Sequence, residues 1–357
     1  MRIVHVSDCY PPRLGGIEVQ VRALALAQRN RGDEVMVITA TPGAFPEDPG
    51  IRVIRLDAHL PFETPVHPRG LPLIREQLDR IRPDVVHVHA GVVSPFAWMG
   101  IAAARRWPTV VTVHSMWGPA QQRAFALLLR REHRFVLTSV SSVAAEKVQA
   151  AAKERVLVTP NAIDLDVWRV ERVAHADVHV VAALRFAPRK RSVELLHILK
   201  EARALTPRGV ALRATIAGDG PLMSKMRATV MDEGLDWVSL VGRVPREELP
   251  ILYAGADIFV QPTLAESFGL AALEARTAGL AVVGRSGSGL GEFVENGRNG
   301  FLCASDHEMS AAVARLASEP AVLSQFDAFN RSTPPVQSWA HALDAVDGAY
   351  AHAIARI

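Results

Sequence analysis

Short β-branched runs alternate with stretches of helical spacing along the whole chain. Apolar runs fall at 3–7, 35–40, 52–56, 85–89, 109–114 and 135–139, with a shorter one at 155–159. Between the first two, Val21, Leu24, Ala25 and Gln28 recur at the spacing of one helix face across 17–31, and Gly32 ends the pattern. Strands alternating with helices predict parallel sheets joined by crossovers. A second series begins at 178–184 and continues at 211–217, 238–241, 258–261 and 281–284, followed by a Gly/Ser loop at 285–291. The Pro/Asn-marked turn at 160–164 is read as a domain edge, and the segment after Pro334-Pro335 as a final helix over 338–354. The expected architecture is α/β: two doubly wound domains, 1–166 and 167–335, facing a central cleft, with a tail at 336–357. In such sheets ligands sit at the carboxyl ends of the strands.

Composition narrows this little. A chain of 357 residues has room for two cores, and 49% hydrophobic with 22% charged residues is ordinary for a globular protein. No run approaches the roughly 18 apolar residues that cross a bilayer. A strand pattern starting at Arg2 leaves no room for a signal peptide, and two distant cysteines, Cys9 and Cys303, form no disulfide framework, so a cytoplasmic protein is expected. Residues 1–166 hold 20 basic against 16 acidic side chains and residues 167–357 hold 20 against 21. The surplus on the first half points to an anionic acceptor or surface there; no nucleic-acid partner is expected.

The chemistry concentrates in Glu266-Ser-Phe-Gly-Leu-Ala-Ala-Leu-Glu274, which follows the 258–261 strand and runs into a helix. Backbone N–H groups near Ser267, Phe268, Gly269 and Leu270 form an anion site at the helix start, and Gly269 admits close approach of a phosphate. Glu274 is placed two helical turns beyond Glu266, about 12 Å at 1.5 Å per residue. Two carboxylates flanking an anion site suit a ligand with hydroxyls at both ends and a diphosphate between. Arg185 and Lys190 follow the first strand of the second domain, where cations can neutralise a diphosphate, although Arg189 and Arg191 beside them also fit a solvated basic loop. Gly15-Gly16 opens the first helix without the Gly-x-Gly-x-x-Gly pattern of a nicotinamide site. His114 ends a strand where site residues belong. His87 and His89 share one face of their strand and are read as core or cleft-lining, since no third ligand has a metal-site spacing. Asp164-Leu-Asp166 is read as coincidence, not as a metal clamp. Between Gln121 and Arg134, Arg123, Arg130 and Arg134 share a face opposite Phe125, Leu128 and Leu129, a pattern shared by membrane-surface helices and ordinary docked ones.

Taken in order, these motifs resemble the Glu–seven–Glu family of GT-B retaining glycosyltransferases, glycosyltransferase family 4. The likeness runs through Leu14-Gly15-Gly16-Ile17-Glu18, Pro160-Asn-Ala-Ile-Asp164, Arg185…Lys190, Ala217-Gly-Asp-Gly-Pro221, Gly255 to Ala275, and Gly291-Glu-Phe-Val-Glu-Asn-Gly-Arg-Asn-Gly-Phe-Leu302. It implies two Rossmann-like domains and a C-terminal helix crossing back to the first. It also implies a nucleotide diphosphate-sugar donor, GDP-mannose or a UDP-sugar, a lipid or glycan acceptor, and no metal or other cofactor. By resemblance Glu266 binds donor sugar hydroxyls, Glu274 the ribose, and the backbone about Val241 and Arg243 the base. Arg185, Lys190, Gly15, Gly16 and the 267–270 helix start meet the phosphates, Gly218 belongs to the donor-binding set, and His114 faces the donor sugar. Front-face substitution with retention is the implied mechanism. A nucleotide-sugar 2-epimerase and a non-catalytic sugar-nucleotide-binding protein are the alternatives.

Overall fold

The structure is a computed structural model that describes residues 1–13, 15–43, 50–58, 66–91, 93–129 and 135–356, the side chains of 124, 125 and 127–129 excepted. Two compact units emerge: Met1–Ala162 with Trp339–Ile357, and Ile163–Ser338. The expected edges at 166/167 and 335/336 therefore move to 162/163 and 338/339. Ile163 and Ser338 are bridged to each other within the second unit, so both crossings leave from one place.

The first unit carries strands β1 (Arg2–Ser7), β2 (Glu34–Thr39), β3 (Ile51–Arg55), β4 (Val85–Ala90), β5 (Thr109–Val113), β6 (Phe135–Ser139) and β7 (Leu157–Val158). All pair in parallel, in the order β3-β2-β1-β4-β5-β6-β7. Helices α1 (Gly16–Asn30), α2 (Gly70–Ile81), α3 (Pro95–Ala103), α4 (Pro119–Leu129) and α5 (Ser142–Ala152) connect them. Alternate residues of each strand go to opposite faces, as the pleat requires. Val4, Val6, Val86, Val88, Val111 and Leu137 join the core that also holds Ile74, Phe96 and Val148. Ile3, Val85, Val110 and Val136 face the other way, into a core shared with Leu24. A parallel sheet covered on both sides is why these strands read as unbroken apolar runs.

The second unit opens with α6 (Leu165–Trp168), and its strands are β8 (Val178–Ala183), β9 (Leu212–Ala217), β10 (Val238–Gly242), β11 (Ile258–Gln261), β12 (Ala281–Arg285) and β13 (Gly300–Cys303). Helices α7 (Ser192–Leu205), α8 (Met223–Asp232), α9 (Leu249–Ala254), α10 (Leu270–Thr277), α11 (Asp306–Ser318) and α12 (Pro320–Ser332) complete it. The order β10-β9-β8-β11-β12-β13, again all parallel, is the doubly wound order with its switch point between β8 and β11. Strand β13 is absent from the sequence reading: Gly300-Phe-Leu-Cys303 is four residues long and lies inside a loop-like motif. The last helix, α13 (Trp339–Ile354), returns to the first unit, burying Val346, Ala349, Tyr350 and Ala353 on the Ile3/Val85 face. Among the described residues no helix is long and apolar enough to cross a membrane.

Crowding at the end of β9 gives a test of the second sheet. Gly218 donates its N–H to the Gly242 carbonyl at 2.7 Å, and a Cβ there would sit 1.9 Å from the Leu184 carbonyl oxygen. Gly218→Ala should destabilise this unit by about 2 kcal/mol or more, lowering its thermal transition by roughly 4–8 °C; an unchanged melting curve would show that the loop yields freely.

Candidate functional site

In the second unit, the sheet reversal brings together the loops that leave β8 and β11. After β8 the chain passes Arg185 and enters a single 3₁₀ turn, Pro188–Lys190. After β11 it turns through Pro262 and Glu266 into α10. The Lys190 Nζ donates to Glu266 Oε2 at 2.6 Å, and Gln261 Nε2, from the last position of β11, donates to the same oxygen at 2.9 Å. Glu266 is 8% exposed, so two donors are what a carboxylate in that position needs. Its carbonyl accepts the Gly289 N–H at 2.8 Å, tying this turn to the loop after β12. Gly269 caps α10 at φ +95, a left-handed conformation that a side chain would strain. Gly269, as the residue before the first turn, brings no side chain to this helix start. Ser267 and Leu270 are half-buried, and Phe268 is buried against Phe293.

Glu274 is the fifth residue of α10, one turn in. The expected two-turn offset from Glu266 is corrected because 266–269 form the turn before the helix, not its first part. Glu274 is 4% exposed and accepts a hydrogen bond from Arg246 Nη2, whose guanidinium lies 5.5 Å from the Trp168 ring centroid. Burial pushes the Glu274 carboxyl up to about 7, with Arg246 opposing it. Val241 and Arg243 are exposed at the end of β10. Arg185 is exposed and forms no ion pair among the described residues.

The first unit presents a separate group. Gly16 begins α1, and Gly15 before it is extended; the Glu18 carboxylate folds back so that a Cβ on Gly15 would lie 2.4 Å from Oε2. Asp8, just past β1, accepts the N–H groups of Phe96 and Ala97 at 3.0 and 3.2 Å, and burial pushes its carboxyl up to about 6. His114, just past β5, donates its backbone N–H to the Ala90 carbonyl at 2.9 Å, and its Nε2 lies 3.0 Å from His89 Nδ1. His87 and His89 are buried, and a third histidine that no spacing along the chain marked stands beside them. His5 pairs with His87 across β1 and β4, and the three rings offer nitrogens within 4.8 Å of one another. Spacing along the chain cannot reveal a neighbour supplied by strand register. The His87 and His89 rings lie 4.1 Å apart at an interplanar angle of 31°. All six ring nitrogens of the trio have hydrogen-bond partners.

Two further sequence features have local explanations. Asp164 caps α6 by accepting the Asp166 N–H at 3.2 Å, while Asp166 pairs with Arg169 at 3.4 Å on the surface. Of the segment from Gln121 to Arg134, α4 accounts for residues to Leu129 and Arg123 is exposed; Arg130 and Arg134, and the side chains of Phe125, Leu128 and Leu129, lie outside the described residues.

The profile of Glycosyltransferase Family 4 matches residues 14–167, and that of Glycosyl transferases group 1 matches 177–319. A D-inositol 3-phosphate glycosyltransferase of Pseudarthrobacter chlorophenolicus is 30% identical, covering 86% of this chain and 83% of its own. The chain belongs to glycosyltransferase family 4. A glycogen synthase of Mycobacterium tuberculosis is 31% identical over 90% of this chain and 87% of its own. Among solved structures, an Anabaena protein in complex with UDP and glucose superposes with a TM-score of 0.78 at 19% identity, covering 98% of this chain and 99% of that one. The two units are thus the Rossmann-like halves of a GT-B glycosyltransferase.

For a family 4 enzyme, the pairings here add residues that motif reading missed. Gln261 carries a signal, a polar side chain closing an otherwise apolar strand. Arg246 carries none, since only the fold sets its loop over α10. Glu274 also gives the unit a pH dependence. Its folded-state pKa of about 7 exceeds the ordinary 4.5, so the folded form holds the proton more tightly and stability falls as pH rises through that window. Glu274→Gln should abolish a fall of order 1–3 kcal/mol between pH 5 and 8, read from unfolding of the second unit at both pH values; a slope equal to wild type would locate the titration elsewhere.

Proposed function

We propose that this glycosyltransferase moves a hexose-type sugar from a nucleotide diphosphate-sugar, GDP-mannose or a UDP-sugar, to a lipid or glycan acceptor with retention of configuration. The observation that carries the proposal is the Lys190–Glu266 pair at the switch point of the second sheet, beside the glycine-led start of α10. A cation, a carboxylate and a helix N-terminus within one turn suit a ligand with phosphates and sugar hydroxyls side by side. The pair also implies an exchange of partners. An arriving diphosphate would draw Lys190 toward itself and leave Glu266, still held by Gln261, to accept sugar hydroxyls. Glu274 would likewise accept ribose hydroxyls in place of Arg246. Relatives lend the chemistry: one acts as a D-inositol 3-phosphate glycosyltransferase, and a structural neighbour was solved with UDP and glucose.

In the proposed reaction the bond from the anomeric carbon to the diphosphate oxygen breaks as the acceptor oxygen bonds to the same face. The acceptor proton passes to the departing phosphate oxygen. Arg185, Lys190, the 267–270 helix start and the Gly15-Gly16 turn would stabilise the leaving charge, without a metal. His114 would meet the donor sugar. The acceptor, and any peripheral contact with an anionic membrane through the helix from Gln121, belong to the first unit, and the setting is cytoplasmic.

A thermal-shift screen against UDP, GDP, ADP and their sugar conjugates tests donor binding. At about 100 times Kd a true donor adds roughly 2.7 kcal/mol, and a shift confined to one nucleotide names the base. No shift with any of them would sink the proposal. Lys190→Ala and Arg185→Ala should each lower kcat about 100-fold while changing donor affinity much less; weakened binding at normal turnover would contradict their assignment to the leaving group.

A further inference from the structure

The buried face of the first sheet carries a file of polar side chains in a position where parallel sheets are normally apolar. His5, His87 and His89 lie on the same face as Ile3 and Val85, beneath α1 and α13. They are at most 2% exposed, and none belongs to the phosphate-binding residues. Their hydrogen bonds form one connected series. Gln28 of α1 sits at its centre, with its carboxamide oxygen 2.7 Å from His5 Nε2 and its nitrogen donating to the Tyr350 hydroxyl at 3.0 Å. On one side, His5 Nδ1 is 2.9 Å from His89 Nε2, and His89 Nδ1 is 3.0 Å from His114 Nε2. On the other, the Tyr350 hydroxyl is 2.8 Å from His87 Nδ1, and His87 Nε2 is 2.7 Å from Thr112 Oγ1.

A neutral imidazole has one donor and one acceptor nitrogen, so the tautomer of each ring dictates the next. The Gln28 oxygen only accepts, which places the His5 proton on Nε2 and leaves Nδ1 an acceptor. His89 must then donate from Nε2, and His114 must donate from Nε2 to His89 Nδ1. Turning the amide over would reverse every bond on this arm and move the His114 proton to Nδ1. The same amide orientation makes Tyr350 give its proton to His87 Nδ1, so His87 donates from Nε2 to Thr112. We propose that Gln28 is a positioning residue that acts through His5 and His89 to hold His114 as its Nε2–H tautomer for the reaction with substrate. Neutral rings are what the surroundings favour: burial lowers His5 and His114 to about 4 and His87 and His89 well below their ordinary value. The part that concerns substrate rests on the reading that His114 takes part in transfer.

The test is long-range ¹H–¹⁵N correlation on protein labelled with ¹⁵N-histidine, His114 being assigned by the loss of its signals in His114→Asn. The expected result at neutral pH is a single Nε2–H tautomer at His114 and at His87. Gln28→Leu removes the oxygen and should leave His114 a mixture of tautomers, with kcat down about tenfold and KM for the donor little changed. Gln28→Glu accepts on both sides. It should retain Nε2–H at His114 with near-normal turnover while moving the His87 proton to Nδ1, because Tyr350 then donates to the carboxylate. This variant keeps the test available should Gln28→Leu fail to fold. An Nδ1–H tautomer at His114 in the wild type, or a His114 tautomer indifferent to Gln28→Leu, would overturn the proposal. A shifted tautomer with unchanged transfer would leave the relay standing and count against His114 in the reaction.

Discussion

A carboxylate taken out of water at the end of a parallel strand must be met by donors, and the arrangement of the second unit follows from how Glu266 meets that requirement. One donor, Gln261, comes from the strand that leads to it. The other, Lys190, comes from the loop after β8, 76 residues earlier in the chain. These loops are neighbours only because the strand order reverses between β8 and β11. The surrounding glycines shape the turn that carries it: Gly269 takes the left-handed conformation that starts α10, and Gly289 donates its N–H to the Glu266 backbone carbonyl. Losing either donor would leave a buried charge short of a partner, a costlier fault than losing an apolar contact.

The first unit solves a different problem. Four strands meet on the face covered by α1 and α13, and polar rings occupy places where valine would pack without cost. Burial of so many polar atoms is tolerable only when each is hydrogen-bonded. The partners come from three sources: neighbouring strands, Gln28 of α1, and Tyr350 of α13. The C-terminal helix therefore supplies more than apolar cover. Tyr350 joins His87 to Gln28, and Asp347 on the same helix pairs with Arg31 at 2.5 Å.

Much of this was legible in the residues. Helix α1 was marked by Val21, Leu24, Ala25 and Gln28, all of which are buried, and most strands were marked by runs that suit a sheet covered on both faces. The segment from Glu266 to Glu274 announced an acidic turn leading into a helix. Strand β13 escaped because four residues carry no period, and the one-turn position of Glu274 because helix starts are poorly bounded by sequence. Lys190 was read as a cation for a diphosphate or as part of a solvated basic loop, and its carboxylate partner carried no signal in the residues around it.

By itself, the sequence determined the class of fold, the two-part organisation and the residue types gathered near the strand ends, since each depends on short-range periodicity and local turn chemistry. Tertiary structure alone decided which of those residues meet. His5 joins His87 through strand register, Arg246 reaches Glu274 through a loop over α10, and Gln28 meets Tyr350 because the chain's last helix returns to its first. The physical reason is the same in each case. Hydrogen bonds and ion pairs are settled within about 3 Å, and contacts between residues far apart in the chain are set by the packing of whole elements, which no local pattern records.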